Sequence, residues 1–328
     1  DRFTIGEGDT PLIRARRIGR EVGLTNLWFK LELTNPTGSY KDRFAASAIG
    51  AMIEFGQTEC IATSSGNTGA ALAACCAAAG IRCRIAVVEG IPSGKLSQML
   101  AYGAEVFRVR DFGTNAAVTD AVFERLQSLA EAPNAALQVS AYVHSPIGMA
   151  GVESLGAEIV QQLPETKHIF CPAGGGGLAV ATARGTEGVA VHVVQPEGNN
   201  TIAGPLRQGL DRAVDVECTS EISGLQVASV VDGHLAIAEC RPTGGNGHVV
   251  SDERIWEVQQ LLAHEGVFCE PAGAVSVAGA LQAAADGEVD ADEPQVCLIT
   301  GSGFKDPSAI DRMTASTETL LLNVEEIS

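Results

Sequence analysis

The chain has 328 residues, 45% of them hydrophobic, with 37 glycines and aromatics at only 5%; that is ample for a sizeable core and suits tight helix-on-sheet layers. A net charge of −18 argues against nucleic acid or an anionic membrane as a partner, because neither offers counter-charge to an acidic surface. Nine scattered cysteines without a CxxC pair are unlike a disulfide framework and fit buried thiols in a reducing cytosol, so a cytoplasmic location is expected; no signal peptide or apolar run of membrane-spanning length is visible.

In chain order, Gly6–Leu12 is a loop leading into a short extended segment, and Leu27–Glu32 alternates like a strand. The next stretch, Thr34 to Phe44, sets up one lysine. Pro36 and Gly38 make a turn, Ser39 is placed to N-cap a helix, and the run from Lys41 through Ala45, Ala46, Ala48 and Ile49 has helical composition and spacing. Lys41 is therefore expected in the first turn of that helix. There the positive end of the helix dipole, and burial against Phe44, would lower its pKa and leave a neutral amine of the kind Schiff-base chemistry needs.

Cys60–Thr63 reads as a small-residue strand that runs through Ser64-Ser65-Gly66-Asn67-Thr68-Gly69 into an alanine-rich helix ending at Ala79. Strand Arg84–Val88, a helix near Lys95–Tyr102, strand Glu105–Val109 and a helix at about Ala116–Glu131 come next. Beyond them lie helix Gly151–Gln162, strand His168–Cys171, loop Gly174–Gly177, helix Leu178–Arg184 and strand Ala190–Gln195. The chain closes with helices Asp252–Glu265 and Ala274–Ala285, an acidic surface loop Gly287–Pro294, strand Gln295–Thr300 and a helix after Pro307. There is no internal repeat. Such alternation is the signature of parallel sheets covered on both faces. The expected fold class is α/β, with two domains, each an open, mostly parallel sheet flanked by helices, and the active site in the cleft. The larger domain is expected over 1–45 and 146–328, and the smaller nested one over 46–145.

Three polar loops carry the chemistry. Gly174, Gly175, Gly176 and Gly177, between a strand and a helix, let backbone N–H groups converge on an anion, with a phosphate as the natural guest. Gly174, Gly176 and Ala179 also fit G-x-G-x-x-A, with Glu197 at about the ribose-binding distance, so a nicotinamide-dinucleotide enzyme is a rival reading, although it leaves Lys41 and the serine loop unexplained. The Ser64–Thr68 loop, at a helix N-terminus, suits a carboxylate, and Asn67 offers an amide donor to a ring oxygen. Thr300–Pro307 again follows an apolar strand, and all three loops are expected to cluster on one edge of a parallel sheet. No metal site is expected: His264-Glu265 begins a zincin motif, but Phe268 stands where the second histidine should be. No G-x-S-x-G elbow is present.

These motifs together resemble the fold-type II pyridoxal-phosphate enzymes and, within them, the threonine synthases. Pro36–Arg43 is similar to their lysine motif, Gly6–Leu12 to the N-terminal signature, Gly94–Gln98 to the GKLxQ segment and Thr300–Pro307 to the C-terminal loop, so the likeness spans nearly the whole chain. The resemblance implies pyridoxal 5'-phosphate as cofactor, bound covalently by Lys41. It implies Asn67 at the cofactor's 3′ oxygen, Gly174 to Gly177 at its phosphate and the Thr300 hydroxyl at the pyridine nitrogen. Ser65 and Thr68 would receive the carboxylate of a small amino-acid substrate. For a substrate phosphate, Lys95, Arg43 and Lys305 are the cations offered by motif. The reaction implied is conversion of O-phospho-L-homoserine and water to L-threonine and phosphate by a homodimeric lyase. The four-glycine loop and Glu270–Ala274 are closer to serine and threonine ammonia-lyases, and Ser65–Gly69 to cysteine synthases. A related ammonia-lyase or β-replacement enzyme acting on serine, threonine, phosphoserine or acetylserine is therefore the alternative.

Overall fold

The structure, a computed structural model, describes residues 2–324 apart from Ser65, Thr114 and Ala228. The elements run in chain order as β1 (Leu12–Arg14), β2 (Leu27–Lys30), α1 (Lys41–Glu54), β3 (Glu59–Ser64), α2 (Asn67–Ala79), β4 (Arg82–Val88), α3 (Ser93–Ala101), β5 (Glu105–Val109), α4 (Ala116–Ala130) and β6 (Ala135–Gln138). They continue as α5 (Pro146–Gln162), β7 (His168–Pro172), α6 (Gly177–Arg184), β8 (Ala190–Pro196), α7 (Ala203–Arg207), α8 (Gly233–Cys240), β9 (Gly247–Val250), α9 (Asp252–His264), α10 (Pro271–Ala285), β10 (Gln295–Leu298) and α11 (Pro307–Thr314).

Two sheets form. One has four parallel strands in the order β5-β4-β3-β6; the other has six in the order β1-β2-β10-β7-β8-β9, parallel except for the β1–β2 pair. Strands from the two ends of the chain thus meet, with Val296 of β10 beside Trp28 of β2 on one side and Ile169 of β7 on the other. The α/β class with parallel sheets is as expected, and the apolar runs of β3, β4, β7 and β8 are what burial on both faces requires. The largest core cluster runs without a break from Ile85 and Leu72 beside the four-stranded sheet, through Phe44, Ile49 and Met149, to Val191 and Leu298 of the six-stranded one. A second cluster covers the other face of the larger sheet, joining Phe29, Phe170 and Cys297 to Val258, Leu262 and Val275 of α9 and α10.

Several elements escape the periodicity of the sequence. Strands β6, with the sequence AALQ, and β9, with GHVV, show no alternation and exist because neighbours pair with them: Ala135–Gln138 with β3, Gly247–Val250 with β8. Helix α5 starts at Pro146, five residues before the expected start at Gly151. Its early glycines look like loop but serve contact with α1: a Cβ on Gly148 would sit 2.6 Å from Phe44, and one on Gly151 would sit 2.6 Å from the Arg43 carbonyl.

Three of the six histidines form a row across β7, β8 and β9. His168 Nδ1 lies 3.0 Å from His192 Nε2, and His192 Nδ1 lies 3.0 Å from His248 Nε2, with Phe170 stacked on His192. Glu293 holds the outer nitrogen of His168 at 3.0 Å, while buried His248 Nδ1 has no hydrogen-bond partner among the described residues and stands 3.7 Å from Glu288.

Candidate functional site

Lys41 opens α1, as its surroundings in the sequence require, but Ser39 is not the cap. Its hydroxyl is buried without a partner among the described residues, and backbone bonds hold the first turn instead, from the Asp42 N–H to Ser39 O at 3.3 Å and from the Arg43 N–H to Tyr40 O at 3.1 Å. The Asp42 carboxylate reaches back to accept the Thr37 N–H at 2.6 Å and the Thr37 hydroxyl; burial outweighs these bonds and raises its pKa to about 6.

The remaining motif residues build a mounting for this turn. Arg43 is locked by Glu32 (2.8 Å) and Glu158 (2.6 Å), Lys30 reaches Glu158 at 2.8 Å, and the Thr10 hydroxyl of the N-terminal signature donates to Glu32 at 2.6 Å. Burial alone would raise the Glu158 carboxyl, but bonds from Arg43 and Lys30 reverse this and hold it down at about 2. On the other side, the C-terminal loop pairs with the lysine loop, the Tyr40 N–H to Thr300 O at 3.1 Å and the Ser302 N–H to Gly38 O at 2.9 Å. Buried Lys305 donates to Thr37 O and Gln98 Oε1, both at 2.7 Å, and burial lowers its pKa to about 8.

Lys41 opens onto a cavity of ≈ 570 Å³, the size range of small-molecule sites, lined also by Tyr40, Asn67, Thr68, Gly174 to Gly177 and Thr300. Its Nζ donates to Ser140 Oγ at 2.7 Å and lies 4.6 Å from the Tyr40 ring centroid. Phe44, expected against the amine, instead sits in the core beside Gly148. The three polar loops do meet, but not on one sheet edge. Two come after β7 and β10 of the six-stranded sheet, the third comes after β3 of the four-stranded one, and they converge on the same cavity. Ser65 lies outside the described residues.

The glycine loop fits a phosphoryl group. Among the described residues, no acceptor takes the N–H groups of Gly174, Gly175, Gly176 or Gly177, and α6 directs its positive end at the same place. Gly176 has φ 100°, and a Cβ there would press on Ile202 at 3.0 Å and Ala236 at 3.1 Å. Thr300 also lines the cavity, and its hydroxyl has no hydrogen-bond partner among the described residues. Asn67 is engaged differently from expectation: its Nδ2 donates to Glu270 Oε1 at 2.6 Å, leaving buried Oδ1 without a partner among the described residues. Glu197, the acid of the dinucleotide pattern, is exposed and does not line the cavity.

None of the three cations proposed for a substrate phosphate lines the cavity. Arg43 and Lys305 are used by the mounting, and Lys95, fully buried, pairs with Glu270 Oε2 at 3.1 Å and donates to Ser223 at 3.1 Å. Among the described lining residues Lys41 is the one cation, against the carboxylates of Asp120, Asp232 and Glu270. Three functional side chains escape sequence reasoning. Ser140 lies just past the unpredicted strand β6. Asp232 accepts the Tyr142 N–H at 2.8 Å and the Val143 N–H at 3.2 Å, its pKa raised by burial in spite of those bonds. Glu270 is visible only as part of a motif, with nothing to show that it meets both Asn67 and Lys95.

A family model described as pyridoxal-phosphate dependent enzyme matches residues 3–301. The threonine synthase of Halalkalibacterium halodurans is 32% identical over 314 residues, covering 93% of this chain and 85% of the relative. That of Methanocaldococcus jannaschii is 32% identical over 323 residues, covering 93% and 77%. Among solved structures, the processed form of threonine deaminase isoform 2 from Solanum lycopersicum superposes with a TM-score of 0.78 at 22% identity, covering 93% of this chain and 82% of the other, which shows a shared fold.

Proposed function

The chain belongs to the pyridoxal-phosphate dependent enzymes, and from that premise we propose that it is a threonine synthase, converting O-phospho-L-homoserine and water to L-threonine and phosphate. The carrying observation is Lys41 Nζ, at the head of α1, sharing a cavity with four glycine N–H groups that no described residue uses. The relatives that match at 32% identity over 93% of the chain are threonine synthases.

Bound pyridoxal 5'-phosphate supplies the electron sink that makes Cα–H acidic and lets a substituent leave the side chain. Lys41 is the amine that would hold it and, as acid and base, would take protons from Cα and Cβ as phosphate leaves Cγ and return them to Cγ and, as water adds its hydroxyl at Cβ, to Cα. Ser140, 2.7 Å from Nζ, orients that amine. Gly174 to Gly177 would hold the cofactor's phosphate, Asn67 and Thr300 would offer their polar side chains to its ring, and Thr68 at the start of α2 would receive the substrate carboxylate. The deciding assay loads the protein with cofactor, adds O-phospho-L-homoserine and monitors phosphate and threonine together. Equal amounts of both support the proposal; a loaded protein that releases neither overturns it. Lys41→Ala must lose the visible absorbance of the lysine-bound cofactor.

One observation favours a second reading. A phosphorylated substrate brings a dianion into a cavity whose described lining sets one cation, Lys41, against Asp120 and Asp232, with Glu270 already neutralised by Lys95, whereas serine or threonine brings a neutral hydroxyl. An ammonia-lyase acting on a hydroxy amino acid suits that charge balance, and its signature is ammonia and keto acid in place of phosphate.

A further inference from the structure

Cys60 of β3, Cys83 of β4 and Cys76 of α2 bring three sulfur atoms within 4.8 Å of one another. Strand register makes this contact obligatory, because Cys60 and Cys83 are direct partners in the parallel β3–β4 pair and therefore point to the same face. Helix α2, packed on that face, adds Cys76 from its last turn. All three are free thiols, Cys60 and Cys76 fully buried and Cys83 6% exposed. No carboxylate or imidazole joins the group among the described residues.

We propose that this trio is a binding site for a thiophilic trivalent ion that takes three sulfur ligands and no fourth, arsenic(III) being the representative. The chemistry of the donor set selects the class. Three thiolates prefer soft ions; zinc demands a fourth ligand that is absent among the described residues; and in an apolar core a bound centre must not leave net charge. A trivalent centre with three thiolates is neutral, whereas copper(I) with the same ligands would bury two negative charges. Binding needs no redox partner. One As(OH)₃ and three thiols give one As(S–Cys)₃ and three waters, with three As–O and three S–H bonds exchanged for three As–S and three O–H bonds. Entry is short: Cys60 and Cys83 are the second residues of their strands, Cys83 follows the exposed Arg82, and Cys76 is followed by the exposed Ala77 and Ala78 of α2.

Two of the three elements that supply the thiols carry the substrate loop, since β3 ends at Ser64 and α2 begins at Asn67. A bound ion therefore staples strand to helix behind the active site. The test incubates the cofactor-loaded protein with arsenite, removes the excess, and measures retained arsenic and its X-ray absorption. The expected result is one arsenic per chain with three sulfur neighbours and a higher Tm. Cys60→Ala, Cys76→Ala and Cys83→Ala should each lower retention at least tenfold, while Cys75→Ala, one residue outside the trio, retains it. Absence of retained arsenic in the wild-type protein, or equal retention in the wild-type and trio variants, overturns the proposal and leaves the thiols as packing. For any trio variant that does not fold, the sulfur count in the wild-type spectrum decides alone: two or fewer refutes the site.

Discussion

Glu270→Gln changes one charge at the point where the two readings of the site diverge. The Glu270–Lys95 pair is 1% and 0% exposed at 3.1 Å, and removing one partner of so buried a pair costs about 3–5 kcal/mol. Unfolding entropy of about 2.1 cal/mol/K per residue over 328 residues gives ~0.7 kcal/mol/K, so Tm should fall by about 4–7 °C. Glutamine keeps the shape and can still accept from Asn67, but it no longer neutralises Lys95. The freed ammonium stands next to Gly224 of the cavity wall, 3.9 Å from where a Cβ would be. A substrate phosphate drawn against Gly224 would stand about 4 Å from this cation, worth ~4 kcal/mol at an effective dielectric of 20, and a third of that is already tenfold. The KM for O-phospho-L-homoserine should therefore fall about tenfold, whereas the KM for serine should hardly move. Steady-state assays of phosphate and ammonia release, with thermal melts of the same samples, read both effects. If Tm drops as expected and the phosphorylated substrate gains nothing, Lys95 is not a latent cation for the site and the reasoning fails.

Gly176→Ala forces a Cβ onto a backbone at φ 100° against Ile202 and Ala236; left-handed strain of about 1–2 kcal/mol and blocked N–H groups should weaken cofactor binding about tenfold, and an unchanged Kd in cofactor titration would move the phosphate elsewhere. Arg43→Lys gives up the paired bonds to Glu32 at 2.8 Å and should cost about 3 kcal/mol, read by urea denaturation; a loss under about 1 kcal/mol would show that the mounting of Lys41 does not depend on it. The histidine row makes stability pH-dependent. Burial, reinforced by its two neighbours, holds His192 down at about 2, and burial holds His248 down at about 4. Both stay neutral in the folded chain while the unfolded chain takes up protons below its ordinary value of 6.5. Their contribution is thus complete above that value and is lost as pH falls towards 4, at ~1.4 kcal/mol per unit for each. His248→Gln should flatten the profile between pH 6 and 4 by that amount for one group. Asp42, raised to about 6, works in the opposite direction but equally in both proteins. Identical slopes for the two proteins would contradict the assignment.

The α/β class, the place of Lys41 at the start of a helix, and the glycine loop between β7 and α6 are legible along the chain, because each rests on local causes: alternation of apolar runs, turn residues before a helix, and missing Cβ atoms. Periodicity could not find β6, β9 or the true start of α5, whose form depends on partners distant in the chain. The same limit explains the cations. Arg43, Lys95 and Lys305 are indistinguishable in sequence from phosphate ligands, and only the tertiary structure assigns each to a buried acid or carbonyl. Asn67 carries its amide to the cavity as its loop implies, yet its partner, Glu270, comes from 203 residues further along. Local interactions are encoded by neighbours and can be read from them. The charge of the cavity is a sum over side chains brought together by two sheets, and folding alone decides which of them remain free to meet a substrate.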